Sequence, residues 1–293
     1  MTKDFGTLLG ISILTIVVGG FITWQYSEPL IKQKRTAVEV VRTPITLADG
    51  ELEAHSAIIY DPLSGEVLYA KNAEDQVPLA SLAKLATALA VLTEGQDRMV
   101  TISKDDLNTE GDSGLRVGDI WRLGDLIAFG LSASSNDAMA AAASALSGEG
   151  VLQKMNGTAS EAGLAQTYFL NPTGLDISST TAGAYGSARD VAHLTTLILK
   201  KYPELFEATT RQPQPAGDSG KGAVSTLRPL WHIPGLIGAK TGFTDLAGGN
   251  LTAAVDLGLG EPVIAVVLGS STAGRFTDME KLIAAARASR QIQ

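Results

Sequence analysis

Runs that favour strands stand at the two ends of the body of this chain, with runs that favour helices between them. "SAIIY" (Ser56–Tyr60) and "EVLYA" (Glu66–Ala70) are rich in β-formers. The turn "DPLSG" between them, with Pro62 and Gly65, makes them a hairpin. Strand-like runs return only late, in "LIGAKTGF", "GNLTAAVDLG" and "PVIAVVLGSS", separated by glycines. The early hairpin and these late strands are expected to share one antiparallel sheet. Between them, "PLASLAKLATALAVLTEG" reads as a buried helix, with Pro78 near its start and Gly95 after its end. Residues 97 to about 200 read as mostly helical, with runs at 122–132, 136–147, 151–163 and 188–201. "TDMEKLIAAARASRQ" closes the chain as an amphipathic helix, with Met279, Leu282, Ile283 and Ala286 on one face. The expected fold is therefore α+β: an antiparallel sheet flanked by helices, with a mostly helical inserted lobe. The active site is expected where the lobes meet.

Several function classes drop out on composition. A net charge of -8 argues against nucleic acid as a partner, because phosphate binding needs a basic surface. The chain has no cysteine, which removes disulfides, thiolate metal sites and a cysteine nucleophile. His55, His193 and His232 are far apart and fit neither a zinc spacing nor a Ser-His-Asp triad, so no metal is expected.

Ahead of the body, Phe5–Trp24 carries no charge and has about the length that crosses a bilayer as a helix. Trp24 and Tyr26 suit the interface. The bulky "TWQYSEPL" offers no small-x-small cleavage pattern, so an uncleaved anchor is expected. The layout is a tail at 1–4, a transmembrane helix at 5–24, a polar tether at 25–53 and a folded domain at 54–293. Flanking charge, with Lys32, Lys34 and Arg35 after the run against Lys3 before it, leans toward a cytoplasmic body.

Three short motifs could carry chemistry. Ser81 and Lys84 in "SLAK" stand one helical turn apart, so the amine can reach the hydroxyl. Apolar surroundings would lower the lysine pKa and let it act as a base, yet SxxK is common by chance. Ser134 and Asn136 in "LSASSNDA" precede an alanine-rich helix, where Ser135 or Asn136 also reads as an ordinary N-cap. Lys240, Thr241 and Gly242 in "IGAKTGF" lie in a strand-like run, where a lysine is costly unless an anion meets it or its head stays solvated.

Order changes the reading. SxxK on an apolar helix, SxN about fifty residues later and KTG on a late strand form the set shared by class A β-lactamases and penicillin-binding proteins. With "AIIYDPLSGEVLYAKN", "NPTGLD", "GSARDVA" and "GRFTDMEKLI" in order, the chain from about His55 to Ala286 resembles the D-alanyl-D-alanine carboxypeptidase family, the low-molecular-mass penicillin-binding serine peptidases. The resemblance implies that Ser81 is the acylated nucleophile and Lys84 its general base. Ser134 then relays a proton and Asn136 orients Lys84 and the substrate amide. Lys240, Thr241 and Gly242 meet the terminal carboxylate of a D-Ala-D-Ala stem peptide of peptidoglycan, or that of a β-lactam. The oxyanion hole comes from the backbone N–H of Ser81 and of Phe243, and Arg275 helps to hold the carboxylate.

No metal or organic cofactor is implied. The N-terminal helix would hold the enzyme to the membrane, with its body outside the cytoplasm against the charge bias. Three features depart from the family pattern: Ala83 where Thr is frequent, Ser135 where Gly or Asp is commoner, and Phe243 where His is usual. A D,D-endopeptidase would use the same residues. A class A β-lactamase would need a deacylating Glu that "FLNPTGLD" lacks three residues before its Leu-Asn. A non-catalytic penicillin- or muropeptide-binding module is the reading that Phe243 leaves room for.

Overall fold

The hairpin and the late strands meet in one five-stranded antiparallel sheet. The computed structural model describes residues 40–48, 50–107, 114–146, 150–213, 224–258 and 260–292. The expected tail, transmembrane run and first part of the tether, residues 1–39, lie outside them. Among the described residues no helix is long and apolar enough to cross a membrane. The sheet strands are β1 (Ser56–Tyr60), β2 (Val67–Lys71), β3 (Leu236–Thr244), β4 (Gly248–Asp256) and β5 (Pro262–Ser270). Their spatial order is β2-β1-β5-β4-β3. The register sets Ile58 opposite Val266, Ala253 opposite Ala265 and Thr252 opposite Lys240.

Alternation along these strands divides the apolar side chains between two cores, as the two-residue period requires. Ile58, Ala254, Ile264 and Val266 face one core together with the helices of the inserted lobe. Ala57, Ile59, Ala253, Val255, Ala265 and Val267 face the other. The α-helices of the described residues are α1 (Lys84–Val91), α2 (Leu123–Ser132), α3 (Asn136–Ser144), α4 (Val151–Glu161), α5 (Ala188–Lys201), α6 (Pro203–Glu207) and α7 (Gly274–Ala288). The expected stripe of α7, Met279, Leu282, Ile283 and Ala286, is buried in the second core. The fold is α+β.

Several boundaries differ from expectation. The helix expected from Pro78 onward is divided: Val77–Pro78 is extended, Ala80–Ala83 is a 3-10 turn, and α1 begins only at Lys84. Helices α3 and α4 end at Ser144 and Glu161, short of 147 and 163, and Gly163 beyond α4 is left-handed with φ +70°. The inserted stretch also holds strands. Met99–Thr101 pairs with Ile120–Arg122, and Ala184–Gly186 pairs with both Val77–Pro78 and Tyr168–Phe169. Packing begins ahead of residue 54. Leu52 is buried in the second core, with Ile45 and Leu47 against it, and Asp278 accepts from the N–H of Glu53 (3.1 Å) and Ala54 (2.8 Å). Residues 42–291 form one unit; of the other, which holds 1–41 and 292–293, only residues 40, 41 and 292 are described, all extended.

Candidate active site

Ser81 sits in the 3-10 turn Ala80–Ala83 rather than inside an α-helix. Residues three apart eclipse one another in such a turn, which brings Lys84 over Ser81 more directly than an α-helix would. The Lys84 ammonium nitrogen lies 2.6 Å from Ser81 Oγ and donates to the Thr173 carbonyl at 2.8 Å. Lys84 is fully buried. Burial pushes its pKa down from 10.5 to about 7, because desolvation penalises the charged form. A neutral amine is therefore available near neutral pH. With one N–H committed to Thr173, its lone pair can face Ser81.

The loop that supplies Thr173 is built for this contact. Asn171 Oδ1 accepts from the N–H of Gly174 (2.7 Å) and Thr173 (3.2 Å), and Asn171 Nδ2 donates to the Leu175 carbonyl (2.8 Å). Thr87, one turn along α1 from Lys84, donates to the Pro172 carbonyl at 2.6 Å. Gly174 has φ +79°, and a Cβ there would lie 1.9 Å from the Ala80 carbonyl oxygen. Only glycine lets the loop approach the Ser81 turn this closely. In the sequence "NPTGLD" served only as a landmark of the family resemblance, and nothing in its residues named Lys84 as its partner.

The second lysine has a similar setting on a different element. Lys240 in β3 is fully buried and donates to Ser134 Oγ (2.7 Å) and to the Thr241 carbonyl (2.8 Å). Its pKa lies well below the usual lysine range, through burial first and then the positive charges of Lys84 and Arg275. Ser134 adopts φ +57°, a left-handed conformation that is uncommon for serine and recurs where a side chain must be aimed. Ser135 takes the N-cap role and accepts from the N–H of Ala138 at 3.0 Å, which frees Ser134 from capping. Asn136 is the first residue of α3 and is half-buried.

Gly242 lets β3 run against the Ser81 turn: a Cβ there would lie 3.0 Å from the Leu79 carbonyl oxygen and 3.2 Å from the Ser81 nitrogen. Arg275, in the first turn of α7, is buried, lies over the Phe276 ring and donates to the Gly242 carbonyl at 2.7 Å. The C=O and N–H of a trans peptide point in opposite directions, so this bond turns the Phe243 N–H away from Arg275. The direct contact of Arg275 is thus with the backbone of the third motif. The Phe243 ring is exposed. Thr241 is buried, with its hydroxyl 2.6 Å from that of Thr226, a residue that sequence reasoning missed. No described carboxylate pairs with Lys84, Lys240 or Arg275. Three basic side chains within electrostatic reach of one another, with no described counter-charge, suit an anionic ligand, which would favour their charged forms.

Comparisons with known proteins agree with this chemistry. The family described as D-alanyl-D-alanine carboxypeptidase matches residues 39–272. The chain is 34% identical over 235 residues to the D-alanyl-D-alanine carboxypeptidase DacF of Bacillus subtilis, covering 75% of this chain and 58% of the relative. It is 29% identical over 238 residues to the D-alanyl-D-alanine endopeptidase of Pseudomonas aeruginosa, covering 78% and 74%. Among solved structures, a cefotaxime-bound penicillin-binding protein of Listeria monocytogenes superposes with TM-score 0.71 at 31% identity, covering 82% of this chain and 98% of that one. The chain thus spans less than two thirds of the Bacillus carboxypeptidase.

Proposed function

Because the chain belongs to the D-alanyl-D-alanine carboxypeptidase family, we propose that it is a serine-type D-Ala-D-Ala carboxypeptidase working through an acyl-enzyme on Ser81. Its substrate is the stem peptide of peptidoglycan. The observation that carries this reading is the 2.6 Å contact between Ser81 and a buried lysine whose pKa is about 7.

The terminal carboxylate of the substrate meets Lys240 and Thr241, and its charge holds the proton on Lys240 that burial alone would release. The scissile carbonyl oxygen takes the N–H groups of Ser81 and Phe243, the latter turned by the Arg275 contact with Gly242. Neutral Lys84 accepts the Ser81 hydroxyl proton as Oγ bonds to the carbonyl carbon, and the C=O π pair moves onto the oxygen, where the two N–H groups stabilise it. The pair returns as the C–N bond to the terminal D-Ala breaks. The departing nitrogen takes the proton from Lys84 by way of the Ser134 hydroxyl. Water then attacks the ester with Lys84 again as base, which releases the shortened peptide and restores Ser81. A β-lactam presents the same carbonyl and carboxylate, and the solved Listeria relatives are bound to cefotaxime and ampicillin.

Release of D-alanine from an N-acylated D-Ala-D-Ala peptide tests this. The unmodified chain should release it, and Ser81→Ala should fall to background; equal release from both would remove Ser81 from the mechanism. The endopeptidase reading rests on the Pseudomonas relative, and a cross-linked dimer cut faster than the linear peptide would favour it. The charge-free run 5–24 supports a single-pass anchor, and the substrate lies outside the cytoplasm, so the body is placed there. A reporter fused after Gln293 that is active only outside the cytoplasm would agree.

A further inference from the structure

Thr226 lies in the short stretch before β3, where the sequence offers no motif. Its N–H donates to the Ser132 carbonyl at 3.2 Å, two residues before Ser134, and its hydroxyl lies 2.6 Å from that of Thr241. It therefore touches both the segment that carries Ser134 and the strand that carries Lys240. The stretch is anchored by the buried Leu227 and Leu230, and Ser225 Oγ accepts from the Leu227 N–H at 3.1 Å. The side chain of Thr226 is half-buried and its backbone is tethered, so its hydroxyl is a fixed neighbour of Thr241.

A hydroxyl has one hydrogen to give and rotates to suit its surroundings. When Thr226 donates to Thr241, the Thr241 hydrogen must point to some other acceptor, and the ligand carboxylate is the acceptor that the proposed reaction brings. We infer that Thr226 is a positioning residue for carboxylate recognition: its hydroxyl sets the rotor of Thr241 so that the Thr241 hydrogen faces the terminal carboxylate. This rests on the function proposed above. It adds a residue that acts through Thr241 and not on the reacting atoms.

The test compares two N-acylated D-Ala-D-Ala peptides, one with a free terminal carboxylate and one with a terminal amide, by the ratio of their kcat/KM values. In the unmodified chain the ratio should strongly favour the acid. Thr226→Val keeps the shape and removes the hydroxyl, and should lower the ratio about tenfold, mainly through a raised KM for the acid, the size of one hydrogen bond to a charged group. Thr226→Ser should restore it to within about twofold of the unmodified chain, by the same arithmetic. Thr226→Ala serves as the second hydroxyl-free variant if valine does not fold. A ratio unchanged in the hydroxyl-free variant, or a ratio that Thr226→Ser does not restore, would overturn the inference while leaving the acyl-transfer reading standing. An unmodified chain that cleaves acid and amide equally would overturn the carboxylate seat itself, and the inference with it.

Discussion

Lys84 and Lys240 occupy matching settings on two different elements, a helix and a strand. Each is fully buried, each reaches a serine hydroxyl, at 2.6 Å and 2.7 Å, and each donates to a backbone carbonyl at 2.8 Å. The difference lies in what surrounds them. Burial alone lowers the Lys84 pKa, whereas Lys240 also feels two neighbouring cations, Lys84 and Arg275. A lysine lowered by desolvation to about 7 can exchange a proton near neutral pH. A lysine crowded by positive charge gains most when an anion arrives. In the proposed reaction, similar geometry thus serves two roles, base and carboxylate seat.

Replacing each lysine by arginine separates those roles most sharply, because arginine keeps the charge and cannot act as a base. Lys84→Arg should lower the rate of acylation by benzylpenicillin by about 1,000-fold, the range of a lost general base. Lys240→Arg should cost far less, about tenfold, read in second-order acylation rates. Losses of equal size in the two variants would erase the distinction.

Gly174→Ala attacks only the Lys84 side. Its Cβ would meet the Ala80 carbonyl at 1.9 Å in a left-handed conformation, so the loop must withdraw and take the Thr173 carbonyl with it. Acylation should slow by about 100-fold from the displaced base, with a lower melting temperature.

The pH profile is the gentlest probe. Lys84 must be neutral to accept the Ser81 proton, and its pKa is about 7, so acylation should rise through pH 7 and level off above it. Below that value the rate should fall about tenfold per pH unit. A profile flat from pH 6 to 8 would contradict the assignment.

Much of this was readable in the sequence because the fold follows periodicity. The β-rich runs "SAIIY" and "PVIAVVLGSS" were readable as strands of one sheet, and the stripe of Met279, Leu282, Ile283 and Ala286 set the face of α7. The two lysines and their serines were readable as motifs, since each pair lies within one segment or recurs in a known order. Four things were not readable. The 3-10 turn under Ser81 depends on a long-range fit, with Ala80 held at φ +49° against Gly174, which no local propensity encodes. The Asn171 and Thr173 loop, and the Thr226 hydroxyl, act through contacts 85 or 15 residues away in the chain, as with Thr87 to Pro172 and Thr226 to Thr241. The bond from Arg275 to Gly242 is made to backbone, which sequence pattern cannot name.

The central claim is that Ser81, activated by Lys84, forms an acyl-enzyme. Its most direct test is the intact mass of the purified chain after benzylpenicillin, with the labelled peptide mapped. The account predicts one penicillin per chain, carried on the peptide that contains Ser81 and absent from Ser81→Ala. A chain that stays unlabelled with the drug left intact, or a label on any other residue, would contradict it.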